Sequence, residues 1–118
     1  MARKDVLGRR GEEIAARYLT DHGYRVIARN WRCRSGEIDV IARQGESVVF
    51  VEVKTRSSVA YGHPFEAITL SKAARLRSLA AQWCSESEEH PAAIRIDAIG
   101  VIAPPGGEVR LEHLTGVC

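Results

Sequence analysis

Three residues near the middle of the chain, Asp39, Glu52 and Lys54, have types and spacing that could do chemistry. Glu52 and Lys54 sit inside the most β-prone run of the sequence, Val48-Val49-Phe50-Val51-Glu52-Val53-Lys54. Successive side chains of a strand alternate faces, so Glu52 and Lys54 share one face and Val51 and Val53 the other. The preceding run, Glu37-Ile38-Asp39-Val40-Ile41-Ala42, reads as the first arm of a hairpin, with Gln44-Gly45-Glu46-Ser47 as its turn. A turn of those four residues pairs Arg43 with Val48 and sets Asp39 opposite Glu52, with Cβ atoms ~5 Å apart. A two-residue turn at Gln44-Gly45 pairs Asp39 with Phe50 instead. Either even-length loop brings Asp39 to the face of Glu52 and Lys54, whereas a three-residue loop does not.

Two carboxylates opposed across a sheet repel each other. Lys54 can neutralise part of that charge. A hard divalent cation would do so more fully, because carboxylate oxygens are the ligands that Mg²⁺ and Mn²⁺ prefer. Mg²⁺ takes one or two carboxylates and keeps waters and phosphates for the rest, a pattern suited to phosphodiester hydrolysis. Lys54 would then orient the attacking water or stabilise developing negative charge. From the residues alone, a solvated hairpin face carrying an ion pair stands beside this reading as an equal alternative.

The elements that must position these groups follow from periodicity. Leu7, Ile14, Ala15, Tyr18 and Leu19 give a helical stripe from Asp5 to His22, which Gly23 ends. Tyr24 to Cys33 reads as a half-buried strand, and the two hairpin strands follow. Residues 56–68 read as a loop containing Gly62 and Pro64. Leu76, Leu79, Ala80 and Trp83 mark a second helix over Ser71 to Ser85, capped by Thr69 or Ser71. Strands are expected at Ile94 to Ala103 and Val109 to Leu114, on either side of Pro104-Pro105-Gly106-Gly107. The order is helix, three strands, helix, two strands. It predicts an α/β fold with a mixed central sheet flanked by helices, in one domain over residues 1–118.

Composition narrows the function classes. The 118 residues are 45% apolar and 27% charged, as in ordinary globular proteins. No apolar run approaches the ~20 residues of a membrane-spanning helix, and the charged start is unlike a secretory signal. The expected location is cytoplasmic. Cys33, Cys84 and Cys118 lie far apart without a Cys-x-x-Cys pair, so reduced thiols are expected rather than zinc ligands or disulfides. The net charge of +2 hides an asymmetry: residues 1–34 carry net +5 and residues 86–118 net −4. A basic, arginine-rich N-terminal third could grip a polyanion, or could simply be a solvated helix face.

The motifs Gly11-Glu12, Asn30-Trp31-Arg32, Gly36-Glu37-Ile38-Asp39-Val40-Ile41-Ala42, Phe50-Val51-Glu52-Val53-Lys54-Thr55-Arg56, Lys72 and Arg95-Ile96-Asp97 together resemble the PD-(D/E)XK nuclease superfamily. Within it, the closer resemblance is to the bacterial YraN family, whose members are similar to archaeal Holliday-junction resolvases. The likeness runs from about Gly8 to Leu114. It implies a restriction-endonuclease-like fold, Asp39 and Glu52 as metal ligands, Lys54 as the residue serving the water, and Glu12 as completing the carboxylate set. The proline of the superfamily's name is replaced here by Ile38.

Other residues carry weaker expectations. Arg32, Arg34, Arg56 and Lys72 suit phosphate contacts, which position a nucleic acid without reading its sequence. Glu37 points with Asp39 if the strand is regular, and supports the metal or stays a surface residue. Asp97 falls on the opposite face, where it supports the site from behind or, as the favoured reading, forms a structural ion pair with Arg95 or another arginine. Trp31 is a base-stacking or half-buried core residue. The histidines show no ligand spacing. The leading expectation is a Mg²⁺- or Mn²⁺-dependent endonuclease acting on DNA, with branched or damaged structures among its substrates. The alternative is a non-catalytic nucleic-acid-binding module on a nuclease fold. A homodimer, with contacts around Tyr61 and Phe65, is a third expectation.

Overall fold

The computed structural model describes residues 3–60 and 62–117, with side chains from Val6 onward; Tyr61 and Cys118 therefore lie outside the described residues. Helix α1 spans Arg3–Asp21. Strands β1 (Arg25–Cys33), β2 (Gly36–Gln44) and β3 (Ser47–Arg56) follow, then helix α2 (Leu70–Glu86) and strands β4 (Ala93–Ile102) and β5 (Arg110–Leu114). The five strands form one sheet in sequence order. Every neighbouring pair is antiparallel except β3 and β4, which run parallel and are joined through α2. This is the mixed sheet with flanking helices, in the order expected from periodicity. The segment read as a plain loop holds a 3-10 turn at Pro64–Ala67, capped by His63 and Glu66. No helix among the described residues is long and apolar enough to cross a membrane.

Each face of the sheet buries one helix. Ala15 and Leu19 of α1 pack on Val40, Ala42, Val49, Val51 and Ile99. On the other face Leu76, Leu79, Ala80 and Trp83 of α2 pack on Ile41, Val48, Phe50 and Ile96. Strand β3 is covered on both sides, which is why its sequence is an almost unbroken apolar run rather than an alternation. Burying a residue the size of Phe50 contributes roughly 1.5–3 kcal/mol. Trp31 joins the α2-side core as a half-buried residue. Cys33 and Cys84 are unbridged.

The hairpin register is the one that pairs Arg43 with Val48. Its loop is shorter than four residues, because Gln44 and Ser47 still pair and only Gly45-Glu46 turn. Gly45, at φ 58°, supplies the left-handed residue that a tight hairpin needs. The pairing ends at Val40↔Val51, so Asp39 and Glu52 do not form the direct cross-strand pair expected of a regular ladder. Beyond that point, residues from Glu52 to Arg56 keep ladder pairing only with β4.

Gly11 brings α1 against the freed end of β3. A Cβ on Gly11 would lie 1.8 Å from Thr55 Oγ1 and 2.8 Å from Thr55 Cβ. Neither contact can be relieved without moving helix or strand, so Gly11→Ala should destabilise the fold by about 1–3 kcal/mol, as overpacking does. Gly8→Ala, with nothing within 4 Å of its new Cβ, should instead be neutral or stabilising by up to about 1 kcal/mol through helix propensity. Denaturant unfolding of the two variants checks both; equal midpoints would remove the close-packing argument.

Candidate functional site

Asp39 sits where β2 and β3 part. Its Oδ2 accepts a hydrogen bond from the Val53 N–H at 2.8 Å, so a side chain takes the place of a strand carbonyl. The neighbouring ladder is disturbed at the same level. Between β1 and β2 the register passes from Arg29↔Val40 to Trp31↔Ile38, leaving Asn30 and Asp39 out of it. Asn30 has φ 53°. Strand alternation slips here, since Ile38 and Ile41, three residues apart, both face the α2-side core.

The parting leaves a groove lined by Glu12, Glu37, Asp39, Glu52, Val53 and Lys54 on one side and by Lys72, Arg75, Leu76 and Leu79 of α2 on the other. Asp39, Glu52 and Lys54 therefore meet as the hairpin register predicts. Glu12 reaches them from α1, one residue beyond the close contact of Gly11 with Thr55. Lys54 Nζ lies 3.4 Å from Glu52 Oε1.

Asp39 is only 9% exposed. Burial, then the charge of Glu52, pushes its carboxyl up to about 7, against the opposing Val53 hydrogen bond; Glu12 and Glu37 add to the rise. Glu12 is also raised, chiefly by burial, with a hydrogen bond from the Asn30 side chain pulling the other way. Carboxylates shifted by desolvation and by one another are common at functional sites. The donor set is hard oxygen throughout, which suits Mg²⁺ or Mn²⁺. Among the described residues no three Asp, Glu, His or Cys side chains converge as a ready ligand cage. One or two carboxylates with waters and phosphates would complete a Mg²⁺ shell.

The four residues expected to contact phosphate are dispersed. Lys72 lines the groove, with Nζ donating to the Ala67 carbonyl at 2.9 Å. Arg32 lines an adjoining groove with Arg9, Arg29, Asn30 and Glu37, and its Nε donates to Glu37 at 3.1 Å. Arg34 is exposed in the β1–β2 turn and borders neither groove. Arg56 is half-buried at the end of β3, donating to the Thr55 carbonyl, and also lies outside both grooves. Arg9, Arg29 and Arg75 line the grooves without having been singled out in the sequence. Arg9 lies one turn before Glu12 on α1 and Arg75 one turn after Lys72 on α2, and that helical spacing was the available signal.

Asp97 lies elsewhere, on the α1 face, and is fully buried. Arg95 binds it through Nε and Nη2, both at 2.8 Å, His113 Nε2 is 2.7 Å away, and the Gly116 N–H donates at 3.0 Å. Burial alone would raise its carboxyl, but these donors outweigh it and hold the pKa below the usual value. The ion pair with Arg95 anticipated from the sequence is present.

Residues 11–101 match the model of a family described as Uncharacterised protein family UPF0102. A UPF0102 protein of Leifsonia xyli is 58% identical over 117 residues, covering 99% of both chains. One from Arthrobacter sp. strain FB24 is 53% identical with the same coverage. A solved structure titled "The structure of Pyrococcus Furiosus SfsA in complex with Ca2+" is 17% identical, with a TM-score of 0.39, covering 96% of this chain and 64% of that one. That likeness is too loose to superpose individual residues. The family match and the full-length relatives agree, and the chain belongs to the UPF0102 family, the YraN-like group its motifs resemble.

Proposed function

We propose that this protein is a divalent-metal-dependent endonuclease that hydrolyses phosphodiester bonds in DNA. The observation that carries the proposal is the meeting of Asp39, Glu52, Glu12 and Lys54 in one groove at the parting of β2 and β3. Asp39 and Glu52 would hold Mg²⁺ or Mn²⁺, with Glu12 completing the acidic set. A bound ion there supplies Lewis-acid stabilisation of phosphate charge and a more acidic water. Lys54, half-buried beside Glu52, is placed to orient the water or meet negative charge developing on the phosphate. Lys72, Arg75, Arg9, Arg29 and Arg32 border the two adjoining grooves and are available to position a polyanionic backbone on either side of the carboxylates. The superfamily resemblance of the Asp39 and Glu52-Val53-Lys54 motifs supports the same chemistry.

Purified protein should cut plasmid, single-stranded or branched DNA in the presence of Mg²⁺ or Mn²⁺. Asp39→Ala and Lys54→Ala should each slow cleavage by about 10²–10⁴-fold. No cleavage of any substrate, together with binding that weakens steeply with salt, would select the non-catalytic binding module instead.

The Asp39 carboxyl makes a second, activity-independent prediction. Its folded pKa of about 7 stands above the ordinary aspartate value of 3.8. The folded protein therefore holds that proton more tightly than the unfolded chain does. The resulting stability is fully present below about pH 4 and is lost as pH rises through 7. A gap of this size corresponds to roughly 4 kcal/mol at most. Asp39→Asn keeps an acceptor for the Val53 N–H and never ionises. It should melt higher than wild type at pH 8 and equally at pH 4. Mn²⁺ added at pH 8 should raise the wild-type melting temperature and leave that of the variant almost unchanged. Identical wild-type and variant melting curves at pH 8 without metal would sink the account of Asp39.

A further inference from the structure

We propose that Asn30 is the positioning residue that holds Glu12 at the carboxylate groove; the proposal rests on the reading of that groove as a divalent-metal site. Asn30 is the one non-glycine residue with positive φ among the described residues. Side chains avoid this region because Cβ crowds the following carbonyl, and asparagine is among the few that tolerate it. Asn30 is exposed, so core packing does not account for the conformation. Backbone held in a sparsely populated region clusters at functional sites.

Three observations say what the conformation accomplishes. Asn30 occupies the level of Asp39, where both residues leave the β1–β2 ladder. Its side chain acts on the Glu12 carboxyl, favouring the ionised form against burial. Asn30 and Glu12 line one groove, and Glu12 also lines the adjoining one that contains Asp39 and Glu52. In the proposed clamp the Asn30 amide N–H donates to the Glu12 carboxylate, whose other lone pairs remain for a cation. A glutamate on a helix surface has three side-chain torsions to fix, and ordering them opposes any role at a defined point. A hydrogen bond from a residue whose own backbone is locked supplies that order. Glycine would satisfy the backbone alone, whereas asparagine satisfies the backbone and provides the clamp. Partners that orient a ligating carboxylate alter metal affinity by about 10–100-fold when removed.

The test uses N30G, which keeps the left-handed backbone and deletes the amide. Without metal, E12A should move the Asn30 side-chain NH₂ resonances in a ¹H–¹⁵N spectrum, while the distant E86A should not. N30G should melt no lower than wild type. Mn²⁺ titrated onto N30G should bind at least about tenfold more weakly than onto wild type, and N30G should add nothing in the E12A background. Asn30 resonances indifferent to E12A would overturn the clamp. So would equal Mn²⁺ affinity of N30G and wild type, or a loss of stability in N30G with affinity unchanged, which would mark a purely structural turn. Wild-type protein that takes up no Mn²⁺ defeats the metal reading itself, and the resonance shift then decides alone whether Asn30 holds Glu12.

Discussion

The hydrogen bond from the Val53 N–H to the Asp39 carboxylate ends the pairing of β2 with β3, and the rest of the site depends on where that happens. An antiparallel ladder closed to its end would cover the groove with backbone. Here the end of β3 keeps ladder pairing only with β4. Its α2-side residues switch from Val48 and Phe50, packed under the helix, to Glu52 and Lys54, which line the groove. The same parting lets α1 approach from the other side, where Gly11 lies against Thr55. Glu12 reaches the carboxylates only because that contact carries no side chain. A backbone hydrogen bond, a missing Cβ and a strand of alternating faces thus set three carboxylates and a lysine from three elements along one groove.

Two buried aspartates in one small sheet show what distinguishes this arrangement from ordinary structural charge. Asp97 is surrounded by donors: the Arg95 guanidinium, His113 and a backbone N–H. The cost of its desolvation is offset locally, and its carboxyl is held low. It ties β4 to β5 and, through His113 and Tyr18, to α1. Asp39 receives one backbone N–H and faces other carboxylates. Among the described residues no cation lies directly on it to compensate its burial, since Lys54 is engaged with Glu52. Removing one partner from a compensated buried pair is strongly destabilising, whereas an uncompensated carboxylate favours whatever neutralises it, whether proton or cation. Asp97 therefore belongs to the frame, and Asp39 to a site whose charge is unfinished.

The sequence made the elements legible because each helix and strand carries its own period. The apolar stripe of α2, the unbroken run of β3 and the turn around Gly45 were legible without tertiary information, but two even-length hairpin registers stayed open, and the structure takes Arg43↔Val48. That register also places Asp39, Glu52 and Lys54 together. The break at Asp39 was not legible, because a period-2 strand pattern assumes that pairing continues. The slip shows only as Ile38 and Ile41 on one face, and three-residue spacing of isoleucines does not contradict a strand buried on both sides. The left-handed backbone of Asn30 was equally silent, since an asparagine between Arg29 and Trp31 reads as one more polar strand position even within a motif. The groove-lining cations were half legible. Arg32 and Lys72 flank the motifs in sequence, but Arg9, Arg29 and Arg75 arrive through helix spacing and the β1–β2 pairing, and Arg34 and Arg56 go elsewhere.

Counting cations overstates the pull of the groove and understates its order. Arg29 Nη1 is 2.9 Å from Glu13, and Arg32 Nε is 3.1 Å from Glu37. Lys72 is turned onto a backbone carbonyl. With these partners in place the groove is closer to neutral than its arginines suggest, which disfavours indiscriminate gathering of anions. Exposed ion pairs of this kind contribute only ~0.2–1 kcal/mol each. A phosphate that offers a planar guanidinium two oxygens can displace a surface carboxylate at small expense. On the proposed reading the glutamates would act as place-holders that keep each guanidinium ordered along the groove wall, reducing the side-chain entropy lost when a polyanion takes over. On the same reading, an acidic centre flanked by such paired cations would offer what a phosphodiester site requires: negative charge where a cation would sit, and exchangeable positive charge where the backbone would lie.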